Sequence, residues 1–418
     1  MLSFNGHVDA DRLMRAVRLS LDAEPILGCE FVEGWFRPHW QRYANLDAMP
    51  FCEVRATAER QVDSDRFFQA QPDLPVRVLL LRGDSDFICI KFDHRVGDGK
   101  ALQEYAYLLS DIYNRLREDS GYVPAANLGG VRSLSEIVKR FRGREKWRLI
   151  RHIFQVNRQI KQLGQWKYPV ASIEPTKFDY VTWRLDAREV AAIFQYGCRH
   201  RATVSQVLLA AFYLAIYDTL PSSADARLPV SIGVDLRRHL PSMKASTLSN
   251  FVGNSVIAID PRSATSMDAT LAQIKDQMKS QQKYLGLAVS FFAIEVLPIV
   301  SQLARLVPYG PAKRRRQRRE QAPHTGDHIP GLVLLSNVGD LDNNRLEFAG
   351  TELIDAVATG GVFKIPGLLG LGICGFRGSL TLHLGCGPAA LLNSVVEKMM
   401  RVLQTGITGS LEPPAVSS

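Results

Sequence analysis

The stretch FICIKFDHRVGDGKALQEYAYLLSDIYNRL, residues 87–116, decides the fold. Phe87–Phe92 is a short, mostly apolar run that reads as a strand, and Leu102, Tyr105, Leu109, Ile112 and Leu116 recur at helical spacing beyond it. Between them, HRVGDG forms a glycine-rich junction that leaves His94 at the end of a strand and just ahead of a helix. Immediately upstream, VRVLLL (76–81) reads as a second strand, joined to the first by the polar hairpin RGDSD. Strand, hairpin, strand and amphipathic helix in succession define an α/β unit.

Working outward, the same alternation covers residues 1–118. Asp9 or Asp11 caps a helix whose apolar positions include Leu13, Val17 and Leu21, and Pro25 and Gly28 turn the chain afterwards. SGYVPAANLGG (120–130) has the composition of a connection. Ser133–Gln165 reads as a long basic helix, or two, crossing between halves of the molecule. A second α/β segment follows. Its predicted elements are the strand FDYVTWRL, helices over 187–198 and 203–220, the strand LPVSIGVDL and the run LSNFVGNSVIAI. Helices near 268–284 and 288–306, strands near 332–337 and 379–384, and a closing helix over 389–403 complete it. The expected division is therefore 1–165 and 166–418, with no internal repeat.

The 418 residues are 46% hydrophobic and 22% charged, a globular balance that excludes disorder and fibrous repeats. Six cysteines, at 29, 52, 89, 198, 374 and 386, form no CxxC pair and are too sparse for a disulfide scaffold. No secretion signal opens the chain, and the longest apolar run, 286–300, is broken by Glu295 and falls short of the roughly 20 residues of a span. A soluble protein of the reducing cytoplasm is the expectation. The net charge of +9 is concentrated in two places: residues 139–158 carry +7, and KRRRQRR (313–319) carries +6. The rest of the chain is mildly acidic, so nucleic acid is not an expected partner.

Several short patterns carry no chemistry. Gly370, Gly372 and Gly375 spell GxGxxG, but the strand-like FRGSLTLHLG follows where a dinucleotide site needs a helix. Arg82-Gly83-Asp84-Ser85 sits in the hairpin turn. There is no GxSxG elbow or phosphate-binding GxxxxGKS loop. His324 and His328 have helical ligand spacing, but Pro323, Gly326 and Pro330 make that stretch a loop, and no metal site is expected.

His94, Asp98 and Gly99 at one junction are different. An imidazole ordinarily titrates near about 6.5, so at a cavity edge it serves as a general base at cytosolic pH. Gly97 and Gly99 permit a tight turn and close backbone approach to a ligand. Asp98 either orients the imidazole or braces the loop through a buried ion pair, and bracing is favoured because the turn residues intervene between it and His94.

DHRVGDG resembles the HHxxxDG signature of the acyltransferases related to chloramphenicol acetyltransferase, condensation domains, polyketide-associated acyltransferases, wax-ester synthases and alcohol acetyltransferases. The opening FNGHVDADRLMRAVRLSLDAEPIL, the block GVDLRRHLP followed by FVGNS, and LSNVGDL are similar to further parts of that superfamily. The resemblance implies two α/β lobes, each a mixed sheet flanked by helices, meeting as a V-shaped pseudo-dimer around a tunnel. It implies that His94 is the catalytic base, that Asp98 is structural and pairs with Arg237, and that the Gly99 amide faces the developing oxyanion. Asn254, Ser336 and Asn337 line the cleft on this reading or, alternatively, satisfy nearby backbone. The first histidine of the signature is Asp93 here, and the DFGWG block of the plant branch is absent.

The expected activity is transfer of an acyl group from acyl-CoA or an acyl-carrier-protein phosphopantetheine thioester to an alcohol or amine, with no permanently bound cofactor, by a monomer. A condensation-type amide-forming enzyme and a non-catalytic carrier- or ligand-binding module are the alternatives. The run 313–319 is read first as a solvated loop, and otherwise as a contact for co-substrate phosphate or for anionic membrane lipid.

Overall fold

The computed structural model describes residues 1–33, 38–70, 74–130, 132–162, 167–169, 179–220, 227–240, 242–287, 328–330, 332–360, 368–387 and 389–408. The expected helix over 288–306, the basic run 313–319 and His324 lie outside them. In the first half the elements are β1 (Leu2–Asn5), α1 (Ala10–Ala23), β2 (Cys29–Val32), β3 (His39–Arg42), β4 (Cys52–Ala56), α2 (Arg60–Gln69), β5 (Val76–Arg82), β6 (Asp86–Phe92) and α3 (Gly99–Glu118). The basic connection forms two helices, α4 (Ser135–Lys139) and α5 (Arg144–Gln162), separated at Gly143, whose φ of 51° is a left-handed conformation that glycine adopts without strain.

The second half begins with β7 (Lys167–Pro169), β8 (Asp179–Leu185), α6 (Ala187–His200), α7 (Val204–Thr219), β9 (Leu228–Asp235), β10 (Val252–Ile259) and α8 (Met267–Gln281). It continues through β11 (His328–Pro330), β12 (Leu332–Leu341), β13 (Glu352–Ala356), β14 (Leu368–Phe376), β15 (Ser379–Gly387) and α9 (Ala389–Leu403). GxGxxG lies on β14, inside a sheet.

The architecture is α/β with two lobes, each built on a mixed sheet. The first sheet runs β13-β1-β6-β5-β4, and α1 and α3 bury Leu13, Val17, Leu21, Tyr105, Leu109 and Ile112 in its core. The second runs β10-β9-β12-β14-β15-β8, covered by α6, α7, α8 and α9, with α7 buried along most of its length. Asp9 and Asp186 cap their helices through side-chain acceptors, and Thr203 opens α7 with a capping box. No single helix among the described residues is long and apolar enough to cross a membrane; α6 and α7 pass that test only as a pair bent by 98°.

Strand β13 belongs by sequence to the second lobe, yet it pairs antiparallel with β1, at the edge of the first sheet. Leu341, Leu346 and Phe348 ahead of it, and Leu353 within it, are buried in the first core. The chain thus returns to its own beginning, and the two lobes are tied together by the segment leaving β12.

Candidate active site

β6 ends at Phe92, and the amides of Val96 and Gly97 both donate to the Asp93 carbonyl, closing the turn that carries His94. Asp93 is buried, and its carboxylate is held by Arg95 through the Arg95 backbone amide at 2.8 Å and the guanidinium at 3.0 and 2.5 Å. Its charge is therefore directed at Arg95, which also lies 4.8 Å over the Phe31 ring. His94 itself is exposed. The Asn250 side-chain amide reaches it from the second lobe, donating to the His94 carbonyl at 2.9 Å and lying 3.0 Å from Nδ1.

Asp98 does three jobs with two oxygens. As N-cap of α3 it accepts from the Ala101 amide at 2.9 Å; it also accepts from the Phe251 amide at 2.7 Å, and from both terminal nitrogens of Arg237 at 2.8 and 3.1 Å. Both partners are nearly sealed, Asp98 7% and Arg237 5% exposed. Arg237 also donates to the Ser249 carbonyl and to Asp235. Burial alone works against its charge, but Asp98 and Asp235 outweigh that and hold its pKa above the ordinary arginine value. A forked guanidinium facing a carboxylate is the geometry in which a buried pair can repay its desolvation.

The glycines of the motif are explained by crowding from protein groups. A Cβ on Gly97 would stand 2.5 Å from the Ala101 Cβ and 2.7 Å from the Phe92 ring, and one on Gly99 2.5 Å from Val338 Cγ1. The first turn of α3 thereby packs directly on β12, where Gln103 donates to the Val338 carbonyl at 2.8 Å. Gly99 is the first residue of α3, and first-turn amides have no acceptor within their own helix.

The remaining expected residues are distributed along the second sheet. Asn254 on β10 stands opposite Gly233, and the Ser336 side-chain oxygen is the nearest group to a Cβ built on that glycine. Ser336 pairs with Gly372, Gly372 with His383, and His383 with Thr182. Directly paired residues share a face, so these six form one polar, small-residue row across the sheet. Asn254 and Ser336 are half-buried, with no hydrogen-bond partner for their side chains among the described residues. Asn337 differs: it donates to the Ser205 hydroxyl and accepts from the Gly339 amide, both at 2.8 Å, bracing the irregularity in β12.

Three contributors carried no signal of their own in the sequence. Asn250 is one amide in a polar run, Arg132 is one arginine in a basic segment, and His383 sits in an ordinary strand. Arg132 donates to the Val96 and Leu248 carbonyls, stitching the motif turn to the segment before Asn250. Burial lowers the His383 pKa to about 4, and its Nδ1 lies 3.2 Å from the Thr182 hydroxyl. Among the described residues, no group of three or more His, Cys, Asp or Glu side chains is arranged to hold a metal ion.

Residues 174–283, which include Arg237, Asn250 and Asn254, match the family described as phthiocerol/phthiodiolone dimycocerosyl transferase C-terminus. No curated protein sequence matches the chain. Among solved structures, polyketide synthase associated protein 5 from Mycobacterium tuberculosis aligns at TM-score 0.66 and 15% identity, over 97% of this chain and 92% of that one. The TRI3 trichothecene 15-O-acetyltransferase from Fusarium sporotrichioides aligns at 0.69 and 14%, over 97% and 90%. The epimerization domain from the third module of tyrocidine synthetase B aligns at 0.66 and 15%, over 97% and 91%. The chain has the two-lobed fold of chloramphenicol-acetyltransferase-like proteins. These neighbours include an O-acetyltransferase and an epimerization domain of a synthetase.

Proposed function

We propose that the protein is an acyltransferase that moves an acyl group from a coenzyme A or carrier-bound phosphopantetheine thioester to an alcohol or amine, with His94 as general base. In this reaction the His94 imidazole takes the acceptor O–H or N–H proton as that atom attacks the thioester carbonyl carbon. The C–S bond then breaks, the departing sulfur takes the proton back from the imidazolium, and an ester or amide and a free thiol leave. No acyl-enzyme is required, because both substrates meet at one base. The Gly99 amide, in the first turn of α3, is assigned to the developing oxyanion. Asn254 and Ser336 are assigned to substrate contact, and Asn337 to holding β12 in place. Asp98 and Arg237 are positioning residues.

The observation that carries this reading is the cross-lobe clamp on Asp98. A buried ion pair and the Phe251 amide fix the turn, so that His94 is displayed beside a second-lobe side chain rather than packed in a core. A condensation-type amide-forming reaction is supported by a further structural neighbour, the first condensation domain of the CDA synthetase. Incubating the chain with a panel of acyl-CoA and acyl-carrier-protein thioesters, against alcohols and amines in parallel, tests both readings by mass spectrometry. Ester products support O-transfer and amides the condensation type. Absence of any His94-dependent product across the panel would count against both.

A further inference from the structure

Helix α5 is amphipathic twice over. Leu149, Ile153 and Val156 are buried on its inner side, with Leu149 and Ile153 packed on Leu236 and Phe251, next in sequence to Arg237 and Asn250. On its outer side, Arg144, Trp147, Arg148, Arg151, Phe154 and Arg158 fall within an arc of about 120° at the helical 100° per residue. All six are exposed, Trp147 by 73% and Phe154 by 62%. The four arginines make no ion pair among the described residues. Glu145 lies to the side of the arc and is engaged by Lys283 at 2.8 Å. The arc thus carries four positive charges, no negative charge and two large aromatic rings.

We infer that this face of α5 docks the protein on an anionic lipid surface. The arginines reach lipid phosphates while the two rings, about 10 Å apart along the axis, enter the boundary between headgroups and acyl chains. Either feature alone has a simpler account: arginines in water need no partner, and a single exposed ring is ordinary on a protein surface. Their combination on one acid-free ridge matches a surface that is negative outside and apolar just beneath. An acidic protein would satisfy the arginines but leave the rings unexplained. A single nucleic-acid strand is held in a groove lined with stacking rings, whereas these rings stand on an outer ridge. The docking face lies behind the segments that hold Arg237 and Asn250, and the inference does not depend on the proposed reaction.

Co-sedimentation of the full chain with phosphatidylcholine vesicles, with and without one-third phosphatidylglycerol, tests it. Binding is expected only to the anionic vesicles, weakening as salt is raised. Each basic residue near such a surface contributes about fivefold in partitioning, so Arg148→Glu/Arg151→Glu should weaken binding by at least about 25-fold. Trp147→Ala/Phe154→Ala should weaken it at any salt, and brominated lipid should quench a fluorescence component that Trp147→Phe removes. Because the six residues are exposed, the melting temperature should not move; should the glutamate variant melt early, Arg148→Gln/Arg151→Gln gives the same reading with less repulsion. His94→Ala should bind like wild type, which separates this test from that of the reaction. Failure to bind anionic vesicles, binding indifferent to the arginine replacements, or retention on polyglutamate or a single-stranded oligonucleotide in place of vesicles would each overturn the inference.

Discussion

Replacing Arg237 by methionine keeps the bulk of the side chain and removes its charge. Asp98 would retain the Ala101 and Phe251 amides but lose both guanidinium bonds, while staying 7% exposed. Removing one partner of a buried pair costs about 3–5 kcal/mol, because the survivor's desolvation is left uncompensated. Asp98→Asn should cost less, about 1–3 kcal/mol, since Arg237 keeps the Asp235 carboxylate at 3.0 Å and the Ser249 carbonyl at 2.8 Å. Arg237→Lys, with the charge but not the fork, should fall between wild type and Arg237→Met. The double variant should be at least about 1 kcal/mol more stable than the sum of the single losses predicts. Turnover in Arg237→Met should fall by more than tenfold, because the turn carrying His94 loses its anchor. Urea unfolding followed by tryptophan fluorescence supplies the stabilities. A loss below 1 kcal/mol for Arg237→Met, or strict additivity in the double variant, would refute the clamp.

Three further outcomes follow from the geometry. Gly99→Ala and Gly97→Ala force a Cβ to about 2.5 Å from a neighbouring carbon and should each lower stability by about 1–3 kcal/mol, measured by the same unfolding. Asn250→Ala should leave the melting temperature near wild type but lower turnover in the thioester-consumption assay, because the side chain that holds the His94 turn from the second lobe is lost. His383 is held neutral down to about 4, against an ordinary 6.5, so the unfolded chain binds the extra proton first. Its contribution is complete above pH 6.5 and is lost as pH falls toward 4, by at most about 3 kcal/mol. The fall in melting temperature over that window should be shallower in His383→Gln.

Local structure was legible because it is encoded locally. Paired apolar runs gave β5 and β6, Asp9 or Asp11 and Thr203 marked helix starts, and the strand that follows Gly370, Gly372 and Gly375 set them apart from a dinucleotide loop, although β14 itself was not expected. The pairing of Asp98 with Arg237, 139 residues away, was legible only through the family resemblance, and the structure makes that bond. What stayed hidden depends on register between distant strands. Nothing in ELIDA (352–356) says that it will pair with the N-terminal strand, and nothing in Thr182, Gly372 or His383 says that they will share a row with Ser336. The motif glycines were expected to make room for a ligand. Their neighbours prove to be protein groups: Ala101 and Phe92 crowd Gly97 from within the first lobe, and Val338 meets Gly99 because α3 packs on β12 of the second.

The most direct measurement is the rate of thioester consumption with a productive acceptor, wild type against His94→Ala, with both melting curves recorded. His94 is exposed, so the folds should be equally stable while the rate falls by about 10² to 10⁴. A variant that melts like wild type and transfers the acyl group at a comparable rate would contradict the assignment of the base.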